Sequence, residues 1–228
     1  MAFLGSGACL ELTVSDLTAS RSAWEAVGFS EITHGLLTDG QIVVGLQQGP
    51  VPALRLVYSS SAPHRLVQVL TDKGLPSRRD GEGAAARLAD VLDVYIDVEK
   101  IRPIPRPERT PNPVCGYLDT LVIGVDNLDI ARRSLEAAGF FVIEQWQGDF
   151  PQIDMTDGLM TIGLRLGVAQ TPFLVYESED IDGPQTFDVH PNLRILVAPE
   201  VIAEDDDVDD GYEGDDNEDD ADDSEGHH

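Results

Sequence analysis

Apolar Leu10, Leu12 and Val14 alternate with polar Glu11, Thr13 and Ser15, the period of a strand that buries one face. The period then lengthens to that of a helix. Asp16 or Thr18 can cap a helix running through Trp24 and Ala26, and Gly28 ends it where a left-handed residue is needed. Phe29 opens a further strand. The Asp39-Gly40 pair within Thr38-Asp39-Gly40 suits a tight hairpin between two more strands. The pattern predicts a βαβββ unit.

More than a hundred residues later the same pattern returns, with Leu121 to Phe140 matching Leu10 to Phe29 without a gap. Asn127 or Asp129 serves as cap and Gly139 as stop. Downstream, Thr156-Asp157-Gly158 answers Thr38-Asp39-Gly40, Gly163-Leu164 answers Gly45-Leu46, and Leu174-Val175-Tyr176 answers Leu56-Val57-Tyr58. An internal repeat sets the architecture, and this one predicts a duplicated unit.

Weaker copies lie between the strong ones. Ala53 to Ser60 reads as a strand, His64 to Lys73 as a helix stopped by Gly74, and Ala84 to Glu99 as strands around an Asp-bearing turn. A fourth unit begins at Phe173 to Tyr176 but lacks a helix before the strand Leu193 to Val197. The expected organisation is a paired-module domain over 1–105, a proline-rich spacer over 106–114, a second paired-module domain over 115–203 with a trimmed last module, and an acidic tail over 204–228. The fold class is α+β.

The chain has 228 residues, enough for one large or two modest cores. No apolar run reaches membrane-spanning length, and the start MAFLGSGAC lacks the basic region of a secretory leader. Cys9 and Cys115, the only cysteines, do not make a disulfide framework, so a reducing cytoplasm is expected. The net charge is -27, and roughly half of it falls from Glu204 onward. That block is too charged and too poor in apolar residues to fold, which predicts a disordered tail that either solvates the protein or docks on a basic partner. So acidic a chain disfavours nucleic acid as a partner.

The strand ending Val14-Ser15-Asp16, the helix to Gly28-Phe29, and the Ala89-Asp90…Tyr95-Ile96-Asp97-Val98 ending together resemble the vicinal oxygen chelate superfamily, which includes glyoxalase I, bleomycin-resistance proteins and extradiol dioxygenases. The resemblance covers nearly all of residues 8–200. It implies βαβββ modules paired into cup-shaped mixed sheets with helices on the outer face. It also implies a metal site built from the first and last strands of each module, where histidine, glutamate or glutamine usually stands.

Carried onto this chain, those places fall on Cys9, with Glu11 and Thr13 on its face, on Gln47, on Ala53 or Leu54, and on Asp97, flanked by Tyr95 and Glu99. No histidine occupies any of them. Cys9, Gln47 and Asp97 are the candidate metal ligands; Glu11, Thr13, Tyr95 and Glu99 are candidate ligand contacts. In the second pair Thr120 answers Cys9, Arg165 answers Gln47, Thr171 answers Ala53 and Arg194 answers Asp97. Two guanidinium groups there would repel a cation and suit an anion, unless neighbouring acids claim them. His34 and His190 each stand alone and read as surface or turn residues. Tyr58 and Tyr176 are expected to face the helices.

Three readings follow. The first is a glyoxalase- or bleomycin-resistance-like binder of a small molecule, without metal or other cofactor, whose metal site has degraded. The second is a divergent enzyme of lyase, isomerase or dioxygenase type holding a divalent metal. The third is a scaffold acting through its acidic tail. Four modules in one chain allow a monomer or a homodimer.

Overall fold

The computed structural model describes residues 3–51, 53–89, 92–98, 110–167 and 171–200. The first unit runs β1 (Gly7–Val14), α1 (Leu17–Ala26), β2 (Ser30–Thr33), β3 (Leu36–Thr38) and β4 (Val43–Gln48). The second runs β5 (Ala53–Ser60), α2 (Pro63–Asp72), β6 (Ser77–Asp80), β7 (Gly83–Leu88) and β8 (Leu92–Val98). The third repeats the order as β9 (Tyr117–Val125), α3 (Leu128–Ala137), β10 (Phe141–Trp146), β11 (Gln152–Thr156) and β12 (Thr161–Leu166). The last keeps only strands, β13 (Phe173–Ser178), β14 (Gln185–His190) and β15 (Leu193–Pro199). Glu99, the acidic tail and the spacer up to residue 109 lie outside the described residues.

Local chemistry explains the element ends. Asp16, rather than Thr18, caps α1 by accepting from the Ala19 amide at 3.0 Å, and Asn127, rather than Asp129, accepts from Ile130 at 2.9 Å. Gly28 and Gly139 follow these helices at φ of 89° and 93°, conformations that a Cβ would strain.

The first two units form an 8-stranded sheet in the order β2-β3-β4-β1-β5-β8-β7-β6, and the rest a 7-stranded sheet in the order β10-β11-β12-β9-β13-β15-β14. In both, the first strand runs parallel to the last strand of its own unit and antiparallel to the first strand of the next. The fold is α+β, with mixed cupped sheets. Among the described residues no helix is long and apolar enough to cross a membrane.

The helix-bearing faces of both sheets feed one continuous core. Helix α1 packs on β4 and also on β14, while α3 packs on β11 and β12 and reaches β7. Strand β14, whose own unit has no helix, is therefore covered by a helix of the first unit. Trp24 anchors that helix, fully buried and set edge-on to Phe29 at 4.7 Å.

The repeated Thr-Asp-Gly and Leu-Val-Tyr motifs interlock. Tyr58 and Tyr176 are buried in the core as expected, but their hydroxyls reach past their own unit: Tyr58 donates to Asp157 at 2.7 Å and Tyr176 to Asp39 at 2.7 Å. The other oxygen of each aspartate accepts the amides of its own turn, Gln41 and Ile42 in one copy and Leu159 and Met160 in the other. Each aspartate thus shapes a hairpin and latches the opposite sheet. His190, expected at the surface or in a turn, is buried within the β14–β15 turn. Its Nδ1 accepts from Asn192 at 3.1 Å and its Nε2 lies 3.0 Å from the Thr13 carbonyl, which calls for the proton on Nε2.

Candidate ligand-binding face

Because β1 sends Leu10, Leu12 and Val14 into the core, its other residues face the concave side. Register then assembles a polar row. Glu11 stands opposite Gly45 of β4 and Arg55 of β5, and Thr13 stands opposite Gln47 and Ala53. Cys9 lies opposite Val57, which lies opposite Tyr95 of β8, and Ser59 lies opposite Asp97.

At the centre, Glu11 takes the Arg55 Nε at 2.9 Å on one oxygen and the Gln47 side-chain amide on the other. The Arg55 guanidinium lies 5.7 Å from the centre of the Tyr95 ring, whose hydroxyl donates to the Asp80 carbonyl at 3.1 Å. Burial raises the Glu11 carboxyl above its ordinary value; Arg55 opposes that shift and the charge of Asp97 adds to it. Cys9 sits in a small apolar cluster with Val43 and Val57, and burial, helped by Glu11, pushes its thiol up to about 12. The structure therefore unites Glu11 with Gln47 and shares one face among Thr13, Tyr95, Asp97 and the buried Cys9.

Arg55 is the residue that sequence reasoning missed. The reading stopped at Ala53 or Leu54, whereas the pair opposite Thr13 and Glu11 is Ala53 and Arg55. Strand alternation through Ala53, Arg55 and Val57 was the available signal.

This donor set does not fit a resident divalent ion. A guanidinium occupies one side of the carboxylate best placed to bind a cation, the neighbouring Cys9 is buried among Val43 and Val57, and among the described residues no three His, Cys, Asp or Glu gather as ligands. What the face does offer is a 640 Å³ cleft lined by Arg55, Arg78, Arg87 and Tyr95 over the small side chains Ala53 and Ala85.

The second concave face differs. Arg165 pairs with Asp154 at 2.5 Å and Arg194 with Asp188 at 2.8 Å, so both guanidinium groups carry carboxylate partners. Arg194 lies opposite Phe173, and Tyr176 lies opposite Val197, as Tyr58 lies opposite Ile96. Stepping back along the two strands, Arg194 holds the place of Asp93, and Ala198 that of Asp97. Val122 and Phe173 stand where the first face has Glu11 and Arg55. Thr120 is buried and Thr171 is half-buried at the foot of β13.

No known family model matches the chain, and no curated protein matches it. Solved structures do match. Homoprotocatechuate 2,3-dioxygenase from Arthrobacter globiformis superposes with a TM-score of 0.57 at 17% identity, covering 86% of this chain and 80% of that one. The fold is that of the vicinal oxygen chelate proteins. The anaerobic substrate complex of the Brevibacterium fuscum enzyme with 3,4-dihydroxyphenylacetate gives 0.54 at 16% identity, over 82% and 78% of the two chains. A room-temperature structure of an extradiol ring-cleaving dioxygenase from B. fuscum gives 0.57 at 17%, over 84% and 70%. At these identities the likeness is one of fold, and a vicinal oxygen chelate fold carries many chemistries.

Proposed function

We propose that this protein is a metal-independent binder of a small molecule, of the glyoxalase or bleomycin-resistance type, and that the concave face of the first sheet is its binding surface. One observation carries the reading. The centre of that face, beside the places that the sequence resemblance gives to metal ligands, holds a Glu11–Arg55 ion pair braced by Gln47, itself one of those places. A fixed guanidinium offers a planar fork of donors to a ligand oxygen and excludes a cation from the same spot. Tyr95 adds an aromatic wall, and the cleft volume lies within the range of drug-sized ligand sites, about 300–1,000 Å³.

Two measurements on the full chain test this. Elemental analysis after exposure to zinc, manganese, iron(II) and nickel is expected to find no stoichiometric ion. A thermal-shift screen of oxygen-bearing aromatic and aliphatic compounds is expected to find stabilisers whose effect a chelator leaves intact. One tightly held ion per chain, lost in Asp97→Ala, would replace this reading with the metalloenzyme.

A further inference from the structure

The cleft on the first concave face has a sorted lining. Of the Glu11–Arg55 pair only the guanidinium lines it, together with those of Arg78 and Arg87, and Glu11 is not among the described lining residues. Three arginines thus meet two carboxylates, Asp80 and Asp93, in a chain whose acidic residues outnumber the basic ones 42 to 15. Asp93 already pairs with Arg87 at 3.2 Å, and Asp80 is exposed at the last position of β6.

Two sets of donors remain open. Arg55 turns its Nε to Glu11, while its Nη groups make no hydrogen bond with the described residues. Arg78 makes no hydrogen bond or ion pair with them at all. Register brings the two together with Tyr95. Arg78 stands opposite Ala85, and Ala85 opposite Tyr95. Neighbouring strands lie about 4.8 Å apart, so about 10 Å separates the backbones of Arg78 and Tyr95, with only a methyl group between them.

The far wall of this slot is fixed. The Tyr95 hydroxyl donates to the Asp80 carbonyl and lies against Gly83, where a Cβ would come within 2.6 Å of it. Arg55 is held by Glu11 on one side and by the Tyr95 ring on the other. A carboxylate is planar and accepts from two guanidinium groups at once, and a flat apolar body beside it would cover the Ala85 methyl and the ring. A cation would face the Arg55 and Arg78 charges instead. We propose that the cleft takes a small planar organic acid as its carboxylate, gripped by Arg55 and Arg78 with its flat body over Ala85 and against Tyr95. This rests on the first concave face being the binding surface, and adds the sign of the ligand's charge and Arg78 as its second grip.

The test uses the full chain with benzoate, its neutral counterpart benzamide and its cationic counterpart benzamidine, followed by calorimetry and ligand-observed NMR. Salt at about 0.15 M screens the net negative charge of the chain. Benzoate is expected to bind about tenfold or more tighter than benzamide, with no binding of benzamidine. Arg78→Gln should erase that preference and leave the affinity for benzamide unchanged. Arg79→Gln, on the other face of β6, should leave the preference intact. Absence of benzoate binding, equal affinity for benzoate and benzamide, or a preference that survives Arg78→Gln overturns the proposal, and none of these touches the wider reading of a metal-independent binder. Benzoate binding that a chelator abolishes would defeat that wider reading, and this proposal with it.

Discussion

Tyr58 and Asp157 lie 99 residues apart in sequence and 2.7 Å apart at their oxygens, and Tyr176 and Asp39 repeat the bond at 2.7 Å in the reverse direction. The duplication has produced a reciprocal pair of latches between two sheets. Both phenols are fully buried; among the described residues Tyr58 is the one side-chain donor to its Asp157 oxygen, whereas the Asp39 oxygen that Tyr176 serves also accepts from the Asn112 amide at 3.3 Å. Tyr58→Phe is expected to lower unfolding free energy by about 1–3 kcal/mol, the cost of leaving the buried Asp157 acceptor unpaired, and Tyr176→Phe by less, because Asn112 still donates to the half-buried Asp39. Urea denaturation reads this directly. A change within error in both variants would mean that water replaces the phenol at no cost.

The same latches set alkaline stability. Burial, then the charge of the facing aspartate, raises both phenols well above their ordinary value of 10.0. A group with a raised folded pKa gives stability that is complete below its unfolded pKa and lost as pH rises through the folded one. Stability should therefore be level up to about pH 10 and fall steeply above it. Tyr58→Phe should flatten that fall; an unchanged slope would assign it to other groups.

Asp119 presents the corresponding carboxylate case. Its carboxyl is raised above 3.8 by partial burial and by the charges of Glu177 and Asp154, so its contribution is present at acid pH and lost as pH rises through the folded pKa. Asp119→Asn should stabilise the protein at neutral pH by less than about 1 kcal/mol, because the group is solvent-screened. The gain should vanish as pH drops below the ordinary carboxylate range. A gain that persists at low pH would point to packing rather than charge.

If Arg55 is what bars a cation from the first concave face, replacing it should admit one. Arg55→His puts an imidazole beside Glu11 and Gln47, on the face shared with Asp97. The variant is expected to retain about one zinc or nickel ion per chain where the natural chain retains none. Equal metal content in the two proteins would remove Arg55 as the cause.

Cys9 and Cys115 are buried, with both thiols pushed up to about 12. At pH 8 the thiolate fraction is then about one in ten thousand, far too little for ready attack on a disulfide reagent. Native protein should release almost no thionitrobenzoate, and urea-unfolded protein should release two equivalents per chain, one for each cysteine. Rapid reaction of one native thiol would show that its cover opens.

Much of the fold was legible because its determinants are local. Asp16, Gly28, Asn127 and Gly139 punctuate helices by chemistry that a neighbouring stretch suffices to reveal, and the repeat supplied each reading twice. The site was less legible because its determinant is register. Naming Arg55 required knowing which residue of β5 stands opposite Glu11, and a shift of one residue turns a strand's side chains to the other face. Arg194 shows the same limit, having been matched with Asp97 when pairing places it with Asp93. The latches were visible only as two repeated motifs, since nothing in either motif says that it binds the opposite copy of the other.

Helix α1 lies over β14 as well as over its own sheet. A gene that has doubled usually keeps both copies whole, because each must hide its own back. Here one copy's roof extends over its sibling, so the last unit could shed its helix without exposing Val189 and Ile195 to water. The bargain binds both parties. Severed between β8 and β9, the C-terminal piece would lose its cover, each piece would lose the tyrosine that answers its aspartate, and neither could stand as a protein in its own right.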